Sequence, residues 1–237
     1  MNAQPLGRRL LAEGLGTALL VTAVVGSGIM AEALANGNMA LALLANTVAT
    51  AGALFALIAT LGPVSGAQFN PVVTLADAWF GGTRWRDVGP YVVAQIVGAC
   101  LGAILANLMF GLSAITLSTH DRSGAGVLLS EVVATLGLLL VIFGLVRSGR
   151  SSWVAAAVAC YIAGAYWFTA STSFANPAVT IGRSLSDTFA GIAPASVPGF
   201  IVAQCVGAVV AVVVVSILWP RPAAAPAVAI DVQPEDR

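Results

Sequence analysis

The chain has 237 residues, of which 59% are hydrophobic and 8% charged, and its mean hydropathy of +0.95 lies far outside the range of a soluble globular domain. Ten arginines and no lysine balance ten acidic residues, so a net charge of zero points neither to nucleic acid nor to an acidic substrate as partner. This is the composition of a protein that lives in a lipid bilayer.

Six stretches reach the roughly 20 apolar residues that a helix needs to cross a hydrocarbon core of about 30 Å: 8–31, 39–61, 87–110, 126–147, 152–170 and 198–219. The first follows "GRR" and has no small-residue cleavage site after a brief apolar core, so it is read as a retained span rather than a signal peptide. With the N-terminus in the cytoplasm, Arg8, Arg9, Arg84, Arg86, Arg147, Arg150, Arg221 and Arg237 fall inside, and only Arg122 and Arg183 fall outside. That asymmetry predicts a multi-pass protein with N- and C-termini both cytoplasmic. The tail 220–237 is rich in Pro and Ala and ends acidic, and is expected to be disordered. Cys100, Cys160 and Cys205 sit in apolar runs with neither disulfide nor metal spacing, and are read as packing residues. No metal site and no cofactor is expected.

Three echoes in the same order divide the chain into halves. "AEGLGTALLV" (12–21) returns as "SEVVATLGLL" (130–139), "NPVVT" (70–74) as "NPAVT" (176–180), and "AQIVGACLGA" (94–103) as "AQCVGAVVA" (203–211). Three spans per half, about 8–115 and 124–219, make the second half enter the membrane from the opposite side, so the repeat is inverted. The whole chain, 1–237, is read as one transmembrane domain.

Each half carries an Asn-Pro pair, Asn70-Pro71 and Asn176-Pro177-Ala178, after its second span. Asn is a strong N-cap, and Pro in the first turn gives up no helical hydrogen bond, so each pair starts a helix. About ten residues follow before "GGTR" and "GIAP", enough for roughly 15 Å or half a membrane. Two half-helices entering from opposite faces would meet at the midplane. The expected fold is an all-α membrane protein with six transmembrane helices plus two re-entrant half-helices. Non-helical backbone at that depth survives only inside protein or against a water-filled cavity. Asn70 and Asn176 would then offer amide donors to a solute where two helix N-termini concentrate positive potential, repelling cations.

These residues resemble the major intrinsic protein family, the aquaporins and aquaglyceroporins, from Glu13 to Trp219: two Asn-Pro boxes in the correct halves, "SGAQFNP", "AEGLGT", and Glu131 as repeat mate of Glu13. The resemblance implies an aquaporin-like fold, a homotetramer with one pore per subunit, no catalysis, and small neutral solutes and the lipid bilayer as partners. It implies that Glu13 and Glu131 accept hydrogen bonds from the re-entrant loops; Gln95 and Gln204 are read as loop anchors. The implied selectivity filter, counted from the boxes, is Thr50, Gly164, Ser173 and Val179. Water-selective members carry an aromatic, a histidine and an arginine there, and glycerol channels an arginine and two aromatics. Here the second box reads Asn-Pro-Ala-Val rather than Asn-Pro-Ala-Arg, and Gln68 stands for a common histidine.

A wide, neutral constriction follows from that filter, similar to that of the bacterial arsenic-associated aquaglyceroporins with valine in place of the filter arginine. Water, glycerol-like polyols and metalloid acids such as arsenous acid become the expected cargo, across the bacterial inner membrane. Two alternatives stay open: a water-selective aquaporin, and a secondary transporter using Glu13 and Glu131 as intramembrane carboxylates. His120 lies in a polar outer loop and no nucleophile, metal set or acid–base pair is visible for an enzyme. Arg183 shares a helix face with Val179; it either reaches the pore mouth, pairs with Asp187, or extends to the headgroups.

Overall fold

In hydrocarbon a single segment can satisfy its own backbone only as a helix, and the apolar stretches do so. The computed structural model describes residues 4–220. Six helices are long and apolar enough to cross a membrane: α1 Leu6–Leu34, α2 Met39–Ser65, α4 Trp85–Met109, α5 Ala125–Arg147, α6 Val154–Phe168 with the 3-10 turn Ser151–Trp153 before it, and α8 Val197–Leu218 after the turn Pro194–Ser196. Two short helices, α3 Pro71–Trp79 and α7 Pro177–Arg183, complete the inverted repeat. The expected tail lies, apart from Pro220, outside the described residues.

The spans match the sequence reading closely, and the differences have causes. α2 runs past Pro63 to Ser65, and stops where Gly66 takes φ +94°, a left-handed cap that costs glycine little. The half-helices are shorter than expected, nine and seven residues. In the second, the carbonyls of Ser184 and Leu185 accept from the amides of Ser118 and Thr116 at 3.0 and 3.1 Å, so the chain leaves the helix to pair with the connector before α5.

Small residues bring the helices together. α1 packs on α4 and α2, α5 on α8 and α6, while α2 against α6 joins the halves. A Cβ at Gly98 would overlap the Gly14 carbonyl, one at Gly102 that of Ala18, and one at Gly207 that of Val132. These are backbone-to-backbone approaches of the kind that hold helices together where lipid removes the hydrophobic drive. α7 crosses to pack on α4, and α3 to pack on α8, so each half-helix is braced by both repeats. Cys100, half-buried, and Cys160 and Cys205, both exposed on the single chain, are all free thiols.

Two faces are distinguished by their polar contacts. Arg9 and Arg84 both reach Asp87, at 2.7 and 2.9 Å, and Arg147 donates to the Trp219 carbonyl while lying 4.3 Å from the Phe80 ring centroid. These ties gather the starts of α1 and α4 with the ends of α3, α5 and α8 on the face where the described residues begin and end. On the far face, the connectors 110–124 and 184–193 are laced together. His120 is exposed there, with Nδ1 3.1 Å from the Thr188 carbonyl.

Candidate functional site

The two Asn-Pro boxes meet end to end. Asn70 Oδ1 accepts from the Val72 amide at 3.1 Å; Asn176 Oδ1 accepts from Ala178 and Val179 at 3.0 and 3.2 Å, so both cap their helices. Capping by Oδ1 turns both Nδ2 groups the other way. Asn70 Nδ2 donates to the Ala175 carbonyl and Asn176 Nδ2 to the Phe69 carbonyl, each at 2.7 Å, so each asparagine ties down the opposite loop. An amide nitrogen carries two hydrogens, and each Asn keeps one beyond this cross-tie.

The loops before the boxes are strained alike. Ala67 and Phe69 in the first, and Ser173 and Ala175 in the second, have φ of 47°, 49°, 55° and 47°, a left-handed region that residues other than glycine seldom enter. Buried carboxylates hold them there. Glu13 accepts from the amides of Gln68 and Phe69 at 3.0 and 2.7 Å, from Ser65 Oγ at 2.7 Å and from Gln95 Nε2 at 2.8 Å. Glu131 accepts from the amides of Phe174 and Ala175 at 2.9 and 2.8 Å and from Gln204 Nε2 at 2.6 Å. Gln95 and Gln204 pass the tie on to Thr74 and Thr180, each at 2.9 Å, and those hydroxyls donate to the carbonyls of Asn70 and Asn176. Carboxylate, glutamine and threonine thus form the same chain of bonds in both repeats, committed to the loops.

Between them lies a cavity of about 100 Å³ lined by Asn70 and Asn176. Toward the far face its wall includes Thr50, Ser173 and Val179, three of the four positions expected for a filter, all of them buried. Gly164 is a correction: it is exposed on the outside of α6 and does not line the cavity. The α6 residues that do are Val154, Val158, Ile162 and Tyr166, a four-residue stripe, and Gly164 sits two residues from it, about 200° around the helix. Tyr166 fills the position given to Gly164, its hydroxyl 3.2 Å from Thr50 Oγ1. The cavity wall is therefore neither free of aromatics nor neutral, because Tyr166, Phe174 and Arg183 line it.

Arg183 is 3% exposed, so it does not extend to the headgroups. Its guanidinium lies 3.4 Å from the Phe174 ring centroid, and its Nε donates to the Ala190 carbonyl. Asp187 instead accepts from the Thr119 amide at 2.8 Å, which holds its carboxyl below the usual range. Arg122, half-buried, lies 5.1 Å from the same ring and donates from Nε to the Gly191 carbonyl at 2.7 Å. Neither Tyr166 nor Phe174 was singled out from the sequence. The period of four along α6 could have identified Tyr166; the stacking of Phe174 depends on a loop fold that no local pattern announces.

This geometry matches known proteins. A profile of the family described as Major intrinsic protein matches residues 1–168 and 147–235. The chain is 50% identical over 213 residues to Aquaglyceroporin AqpS of Rhizobium meliloti (strain 1021), covering 89% of this chain and 90% of the relative. It is 32% identical over 154 residues to Probable aquaporin AqpM of Archaeoglobus fulgidus, covering 60% and 63%. Among solved structures, the aquaglyceroporin from Plasmodium falciparum shares the fold with a TM-score of 0.70 at 21% identity, over 88% of this chain and 94% of that one. Two Asn-capped half-helices closing a cavity between inverted repeats, together with these matches, place the chain in the major intrinsic protein family, as a passive membrane channel for small neutral solutes rather than an enzyme.

Proposed function

We propose that the channel passes glycerol-sized neutral triols, arsenous acid among them, as well as water. The observation that carries this is Val179, which stands where the second Asn-Pro box resembles sites with an arginine and leaves that part of the wall without a guanidinium. Around it Thr50, Tyr166 and Ser173 supply hydroxyls, and Ser173 Oγ is buried with no protein partner, a site for a solute hydroxyl. A relative at 50% identity bears the name aquaglyceroporin. A solute moving inward trades water for these hydroxyls, then for the spare Nδ2 hydrogens of Asn70 and Asn176 between two positive helix ends. Cations meet that field unscreened; neutral hydroxyl solutes do not.

Arg183 lines the same cavity and supplies donors and positive charge toward the far mouth, its guanidinium stacked on Phe174. Arg183→Ala should raise cation leak or alter solute discrimination with the assembly intact. The arginine-rich face is cytoplasmic, with both termini there, in a bacterial inner membrane, and the assembly is a homotetramer. Swelling of proteoliposomes in water, glycerol, urea and arsenous acid tests the reading. Permeation by at least one neutral triol is expected; passage of water alone would establish the water-selective alternative, for which Tyr166 in the constriction speaks.

A further inference from the structure

The residue two before each asparagine and the residue seven after it are in contact in both repeats, with different chemistry. In the second repeat these are Phe174 and Arg183, stacked. In the first they are Gln68 and Asp77: Gln68 Nε2 donates to Asp77 Oδ2 at 2.9 Å and to Thr83 Oγ1 at 2.9 Å, and Thr83 Oγ1 donates to the same Asp77 oxygen at 2.7 Å. Glycine at position 82 makes room, since a Cβ there would collide with the Asp77 carboxylate.

Counting protons fixes the orientation of the Gln68 amide. Asp77 can only accept; Thr83 has one proton and gives it to Asp77, so toward Gln68 it too can only accept. Both Nε2 hydrogens are spoken for, and the amide cannot turn over without setting its oxygen against the carboxylate. What remains is Oε1, buried and without a protein partner, on a side chain that lines the cavity on the side of α3. A buried acceptor left unpaired costs free energy that a passing donor recovers.

We propose that Gln68 is a hydrogen-bond acceptor of fixed orientation in the channel, that Asp77 and Thr83 are the positioning residues that lock it, and that it selects for solutes bringing O–H or N–H donors. The proposal rests on the channel reading above. It makes the two mouths complementary: Arg183 offers donors on the far side, Gln68 an acceptor on the near side, so a solute that can do both is favoured over one that can only accept. Removing Asp77 reverses the device, because the Thr83 proton is then free to bond Gln68 Oε1 and the amide presents Nε2 to the channel.

The test compares background-subtracted proteoliposome fluxes of glycerol and of dimethyl sulfone, a small neutral solute that carries only acceptors. Wild type should favour glycerol. Asp77→Leu should raise the sulfone-to-glycerol ratio about fivefold to tenfold, the scale of one hydrogen bond at a barrier. Asp77→Asn, whose Oδ1 can still take both bonds, should keep the wild-type ratio. Gln68→Leu, with the acceptor gone and no lock to disturb, should raise the ratio as well, which keeps the test valid if Asp77→Leu fails to fold. A merely structural bond would lower both fluxes together and leave the ratio alone, and an unchanged ratio in Gln68→Leu with normal water flux would overturn the proposal. A wild type that passes water but no glycerol would instead remove the triol reading on which it rests.

Discussion

Glu131→Gln changes one oxygen to an NH2 group at a position where every hydrogen bond is accepted. Glu131 takes the Phe174 amide on Oε1 and the Ala175 amide and Gln204 Nε2 on Oε2. The best the new amide can do is keep its oxygen where two donors converge, which points its NH2 at the Phe174 N–H. One buried backbone donor is then orphaned, at about 1–3 kcal/mol, and two bonds to a charged acceptor become bonds to a neutral one, at about 1 kcal/mol each. The sum, about 3–5 kcal/mol, is a large part of the typical 5–15 kcal/mol stability of a domain. It falls on a loop already held at left-handed φ, so the loop should relax and carry Asn176 out of register. The assay is paired: thermal midpoint in detergent, and stopped-flow flux of water and glycerol. A lower midpoint with parallel loss of both fluxes is expected. Wild-type midpoint and fluxes would refute the claim that this carboxylate holds the loop.

Val179→Arg should lower glycerol flux more than water flux in the same vesicles by adding a guanidinium to the wall one turn before Arg183, whereas Gly164→His, on the exposed side of α6, should leave their ratio unchanged. Gly98→Val should destabilise by at least about 1–3 kcal/mol, seen as a lower thermal midpoint, because its side chain meets the Gly14 carbonyl. Asp187, held below its ordinary pKa first by the Thr119 amide, contributes stability that is present above the unfolded carboxylate pKa of about 4 and lost as pH falls through the folded value. The difference in thermal midpoint between wild type and Asp187→Asn should therefore be present at pH 7 and vanish in strong acid.

The architecture was legible because its strongest signals are local. Runs of apolar residues of membrane length give the six spans, and Asn followed by Pro specifies a cap and a first turn wherever it occurs. The inverted repeat needed only three matched segments in order. Details that depend on helix phase and on contacts between distant loops were not legible. Gly164 was placed by counting back from Asn176 across a connector, 169–176, whose left-handed residues alter the relation between count and position; the stripe Val154, Val158, Ile162, Tyr166 shows the true phase. The half-helix at Pro177 ends early because the connector before α5, some seventy residues earlier in the chain, takes its next carbonyls. That Asn70 and Asn176 each bind the other's loop, and that Gln68 is locked by Asp77, follow from side-chain geometry that sequence spacing leaves open.

The central claim is that solute passes between the two Asn-capped half-helices, and the most direct measurement places a removable obstacle there. Val179→Cys, in a background with Cys100, Cys160 and Cys205 replaced by alanine, would be treated with a methanethiosulfonate reagent and assayed for glycerol flux in proteoliposomes. The account predicts loss of flux on labelling, recovery on reduction, and no effect on the cysteine-free parent. Full glycerol flux through protein shown by mass to be labelled at position 179 would contradict it.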